Sequence, residues 1–178
     1  MKSLSTAIIT IMALGLTNPA FAEDGSEGNG DGFFVGAGGV MYDNNDLIGV
    51  QGTVGYNFAK YFGVEGVIST GVVDTDVPGT SLSVGVDSSF AGFGTLRMAN
   101  DQYSVYVKGG YHSTKFGATG PITGNLTLDG IAGGIGFDWY FNKSSGVRME
   151  AVSYDTKDLN VQGVNGMTLI SLSYLHKF

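Results

Sequence analysis

Few residues in this chain have much chemical capacity. His112 is the only histidine away from the C-terminal stretch; Ser113 follows it and Thr114 stands two places on. Acyl transfer needs a hydroxyl within reach of an imidazole and a carboxylate to orient the ring. On an extended segment His112 and Thr114 share one face and Ser113 takes the other. The hydroxyl beside the imidazole is then a threonine's, with Asp129 and Asp155 as the nearest acids that could orient it. That falls short of a hydrolase site, and no catalytic residue is assigned. A second constellation is ionic: Glu65, Arg97, Lys108, Asp138, Arg148 and Glu150, balanced in sign, in a chain of which only 14% is charged. Without cysteine, thiolate zinc sites, cysteine nucleophiles and disulfides are excluded. Two histidines make a transition-metal site improbable. Asp43–Asp46 and Asp74–Asp76 read as solvated acidic turn tips. The glycine clusters Gly36–Gly39 and Gly133–Gly136 lack the lysine of a phosphate loop. No cofactor and no metal are expected.

The chain that must position these groups has 178 residues, 43% of them hydrophobic, and 30 glycines. Its charged fraction lies well below the roughly 25% of an ordinary soluble domain. The glycines follow no G-X-Y repeat, and the apolar content is too high for general disorder. A net charge of -7 with 9 Lys and Arg argues against a nucleic-acid surface. The N-terminus has the layout of a secretory signal peptide: Lys2, an apolar run from Ala7 to Leu16, then Ala20-Phe21-Ala22 before acidic Glu23-Asp24. Cleavage is expected between Ala22 and Glu23. The alternative, a membrane anchor, would need about 20 apolar residues. The expected organisation is a signal peptide over 1–22, a flexible acidic leader over 23–31 and one domain over 32–178. The leader does not match a calcium loop.

From Gly32 onward the pattern has period two. Ile48, Val50, Gly52, Val54, Tyr56 and Phe58 oppose Gly49, Gln51, Thr53, Gly55 and Asn57. Ile131, Gly133, Ile135, Phe137, Trp139 and Phe141 oppose Ala132, Gly134, Gly136, Asp138 and Tyr140. Such alternation marks strands. Eight stretches are predicted: 32–42, 47–58, 62–74, 84–98, 103–115, 127–141, 146–156 and 167–178. From the second onward, tight connections (59–61, 99–102, 142–145) alternate with longer ones (75–83, 116–126, 157–166). An up-and-down barrel with turns on one rim and loops on the other gives this rhythm.

Periodicity does not say which face is inside. A soluble barrel, lipocalin-like with a ligand cavity, and a membrane barrel alternate alike. Three features favour the membrane. The polar face is rich in Gly, Ser and Thr and poor in charge, whereas a wetted surface holds about 25–35% charged residues. Small residues suit the crowded lumen of an eight-stranded barrel. Aromatics collect beside the tight turns: Tyr56, Phe58, Tyr61, Phe62, Tyr103, Trp139, Phe141 and Phe178, an interfacial girdle. Tyr42, Tyr111 and Phe116 are candidates for a thinner opposite girdle. The third feature is the export signal.

With GGIGFDWYF before a tight turn, GVRMEAVSYD after it and a terminal Phe178, the chain resembles the small eight-stranded outer-membrane barrels of Gram-negative bacteria. These include the OmpA transmembrane domain, the OmpX/Ail proteins and the opacity family. The resemblance covers nearly all of residues 32–178. It implies an all-β, antiparallel up-and-down transmembrane barrel in the outer membrane, with both termini and the tight turns periplasmic. It also implies outer-membrane lipid, the barrel-assembly machinery and periplasmic chaperones as partners. The family's C-terminal assembly signal is matched by Ser171, Tyr174 and Phe178, but Ser173 replaces its glycine and His176 its penultimate apolar residue. Some barrels of this size are lipid A deacylases with a His-x-Ser pair, against which Thr114 counts. In this orientation Glu65, Arg97, Lys108, Asp138, Arg148 and Glu150 point inward near the turn rim. An unpaired charge in a narrow lumen is costly, so a mutually satisfied ion-pair plug is expected. A gate formed by exchanging pairs is the alternative. The implied role is structural, surface-interacting or narrowly porin-like, and adhesion or host-factor binding through the loops is the competitor.

Overall fold

A computed structural model describes residues 32–42, 47–59, 61–73, 75–76, 81, 83–100, 102–119, 124–155 and 166–178. The signal peptide, its Ala22–Glu23 junction and the acidic leader lie outside the described residues. So do Asp43, Asp46 and Asp74.

The strands are β1 (Gly32–Tyr42), β2 (Leu47–Ala59), β3 (Phe62–Val73), β4 (Thr75–Asp76), β5 (Ser83–Ala99), β6 (Tyr103–Thr119), β7 (Gly124–Tyr140), β8 (Ser145–Tyr154) and β9 (Met167–Lys177). β4 is a two-residue pairing beside the loop end of β5, so the wall has eight strands. The eight wall strands pair antiparallel in chain order, β3 with β5, and β1 pairs with β9 to close the ring. The register is staggered. Partners followed once around the wall from Tyr103 pass Trp139, Val147, Tyr174, Ala37, Gly52, Ile68 and Phe90. They return to Ser113, ten residues further along β6. For eight strands that shear tilts the wall by about 40°.

The faces are those of a barrel turned inside out. Val54, Ile135, Leu172 and Met98 project outward and are exposed, while Gln51, Asp138, Ser171 and Arg97 project into the lumen and are buried. Two of the tight turns use one device. Asn100 Oδ1 accepts from the Gln102 and Tyr103 amides at 3.0 and 2.7 Å. Asn142 Oδ1 accepts from the Ser144 and Ser145 amides at 2.9 and 2.7 Å. Each side chain satisfies amides that would otherwise lack partners at the rim.

Two expectations require correction. The stretch 116–126 is not mainly loop. Phe116 pairs with Leu126 and Gly117 with Asn125, so β6 and β7 extend as a hairpin beyond β8. Gly117, Ala118 and Asn125 blur the alternation there, but backbone pairing continues without it. Tyr42 and Phe116 are not girdle residues. Tyr42 is buried in the lumen, its hydroxyl 3.0 Å from Ser69 Oγ. Phe116 packs against the lumen cluster. Both stand at the right height but on inward positions of their strands. Tyr111 does face outward.

Candidate functional site

The turn-side half of the lumen is ionic. Glu65 comes from β3, Lys108 from β6, Asp138 from β7, and Arg148 and Glu150 from β8. Lys108 Nζ donates to Glu65 Oε1 at 2.7 Å and to Glu150 Oε1 at 2.6 Å. Arg148 grips Asp138 with two bonds, Nε to Oδ1 at 2.7 Å and Nη2 to Oδ2 at 3.0 Å. Its Nη1 reaches Glu65 Oε2 at 2.9 Å. Glu150 also accepts from Tyr106 OH at 2.5 Å and from Ser171 Oγ at 3.4 Å. Arg97, on β5, is also buried on the inward face. All six residues are buried, and their charges balance. Bidentate, charge-assisted bonds are the kind that can offset desolvation.

Aromatic rings complete this layer, and the sequence reading did not include them. Lys108 Nζ sits 4.5 Å from the Phe93 ring centroid. The Arg148 guanidinium lies between Phe34 and Tyr106, at 4.9 and 4.7 Å. Poorly hydrated cations gain from such faces. Glycines make the room: a Cβ at Gly136 would run into the Tyr106 ring, and one at Gly55 into the Phe34 ring. Parity could have found these rings, since Tyr106 stands two before Lys108, and Phe93 and Arg97 share a face.

The loop-side half is different. Val40, Val67, Ala91, Ala132, Val152 and Leu169 belong to one apolar cluster inside the barrel. Beyond them lies a hydroxyl layer holding His112. Its Nε2 lies 3.3 Å from the main-chain oxygen of Asp155, which can only accept, so Nε2 carries the proton. Nδ1 then accepts from Thr114 Oγ1 at 3.2 Å, and Thr114 meets Ser89 Oγ at 2.8 Å. The ring stacks on Tyr154 with centroids 4.1 Å apart. Asp129 pairs across the strands with outward Ser113, so its carboxylate does not orient the imidazole. His112 and Thr114 are almost wholly buried.

Outside, Tyr56, Phe58, Phe62, Tyr103, Trp139 and Phe141 are all exposed near the turn rim. Phe178 is half-buried, 5.6 Å from the Phe33 ring and 4.8 Å from that of His176. Of the assembly-signal residues, Ser171 points into the lumen and Tyr174 outward, its hydroxyl donating to Ser145 Oγ at 2.9 Å.

A closed eight-stranded antiparallel wall with an apolar exterior is the architecture of the small transmembrane barrels, and the comparisons agree on the fold. The chain is similar to the N-terminal barrel domain of Pseudomonas aeruginosa OprF, with a TM-score of 0.65 at 12% identity, over 83% of this chain and 99% of that one. It is similar to Ail, the attachment invasion locus protein of Yersinia pestis, solved with the heparin analogue sucrose octasulfate: TM-score 0.63, 12% identity, 84% and 99% covered. It is also similar to the outer membrane protein OprG of Pseudomonas aeruginosa, with a TM-score of 0.57 at 16% identity, over 84% and 96%. No protein-family model matches the chain, and no curated protein matches its sequence. The fold is that of the eight-stranded outer-membrane barrels.

Proposed function

We propose that this protein is exported by its N-terminal signal and resides in the bacterial outer membrane as a structural, surface-exposed barrel without enzymatic activity. The observation that carries the reading is the outer wall. Val54, Val107, Ile135, Ile170 and Leu172 are exposed along the strands and the aromatic rim borders them. In water that surface would be a large aggregation liability; in hydrocarbon it is the favoured one. Turns and termini face the periplasm, and the longer connections face outward. Outer-membrane lipid, the assembly machinery and periplasmic chaperones are the partners this requires. The ion pairs tie β3, β6, β7 and β8 together across the lumen.

Surface interaction is the second element, and charge constrains it. At the loop end the sequence has Asp43, Asp46, Asp74, Asp76, Asp87, Asp129, Asp155 and Asp158 against only Lys115 and Lys157. A polyanion such as the one bound to Ail is therefore disfavoured, and a cationic or neutral partner is favoured. Cell fractionation combined with gel mobility before and after boiling tests the reading. The protein should sediment with outer membranes and shift on heating. Recovery from the soluble periplasm as a detergent-free monomer would refute it.

A further inference from the structure

Inward residues change character in step as the strands rise from the turn end to the loop end. On β3 the order is Glu65, Val67, Ser69; on β8 it is Glu150, Val152, Tyr154. On β5 it is Phe93, Ala91, Ser89; on β9 Ser173, Ser171, Leu169; on β1 Gly38, Val40, Tyr42. Period two and the stagger of the wall bring Val40, Val67, Ala91, Ala132, Val152 and Leu169 to one level, within a larger apolar cluster that also takes in Phe93, Tyr42 and Tyr154. All six are buried, and none can ionise or hydrogen-bond through its side chain. Polar side chains at or beside this level, Gln51 among them, turn away from it. Gln51 Nε2 donates to Ser173 Oγ at 3.1 Å and Ser171 to Glu150, both toward the turn side. Ser69 meets Tyr42 OH on the loop side.

We propose that this aliphatic layer, and not the ion-pair network, is what closes the barrel to ions and water. The inference rests on the membrane-barrel reading and specifies its permeability. An ion entering from the turn side meets compensated charges. One entering from the loop side meets hydroxyls and His112. Between the two regions it would have to shed its hydration against methyl groups that offer nothing in return, and a constriction of this kind excludes water. The layer thus separates the two polar regions of the lumen from each other.

The test uses the whole barrel, first shown to be inserted and heat-modifiable so that failure of the membrane reading is seen separately. In planar bilayers the wild type and Lys108→Met/Glu150→Gln should both stay at the level of bare lipid. Val67→Thr/Val152→Thr/Leu169→Ser should raise ion leak several-fold. The chain has no cysteine, so single cysteines give a second readout that tolerates poor folding of the triple variant. In the reconstituted barrel any reaction of a charged thiol reagent with Ser104→Cys should come from the turn side alone, and any reaction with Ser89→Cys from the loop side alone. Val152→Cys should react from neither side. Ion leak in the charge variant with the aliphatic layer intact, or modification of one cysteine from both sides, would overturn the proposal.

Discussion

Lys108 ties the lumen together because one ammonium serves two carboxylates, Glu65 and Glu150. Removing it leaves both acids buried with less than their due compensation. Lys108→Ala should therefore cost about 3–5 kcal/mol, read as a lower midpoint in urea unfolding from lipid vesicles. Glu150→Ala should move the same way, and unchanged stability in both variants would remove the network from the account. The glycines give a paired test. At Gly136 a methyl group would displace the Tyr106 ring from Glu150 and Arg148, so Gly136→Ala should cost about 1–3 kcal/mol. At outward-facing Gly109 a Cβ meets nothing within 4 Å, and Gly109→Ala should be close to neutral. Equal losses at the two sites would contradict this division. At this scale the sequence shows which charges share the inward face, since period two suffices for that. It does not show that Arg148 takes Asp138 in a bidentate grip while Lys108 bridges β3 and β8. Those pairings depend on a stagger that accumulates over the whole circuit. Phe34, Phe93 and Tyr106 hold inward positions on their strands, so period two alone carries the aromatic collars as well.

Among the elements, strand identity was legible and strand length was less so. Each of the eight alternating stretches corresponds to a wall strand, because one face against lipid and one against the lumen enforce strict alternation. Beyond the barrel rim that pressure ends. The β6–β7 hairpin continues there on backbone pairing alone, with glycine, alanine and asparagine that carry no pattern. Two of the tight turns depend on their asparagines. Asn142→Ala removes the acceptor for two amides and should cost about 1 kcal/mol, seen as a lower unfolding midpoint. Asn142→Asp, which keeps an acceptor, should recover most of it. Equal loss in both variants would show that the side chain does not hold the turn.

For the whole molecule the decisive property is which side of the wall is greasy. Alternation alone fits either a wet or a lipid exterior, so composition had to decide: sparse charge, abundant glycine and clustered rim aromatics. The apolar layer inside the barrel was not legible, because Val67 or Val152 on the inward face looks like a lapse in polarity until the strands are closed into a ring. Spin labels at Val54 and Ile135, 46% and 63% exposed on opposite parts of the wall, test the orientation most directly. In reconstituted membranes both should relax strongly with oxygen dissolved in the lipid and remain insensitive to an aqueous nickel chelate. Strong relaxation by the chelate with weak relaxation by oxygen would mean that water, not lipid, bathes this surface, and the account would fail.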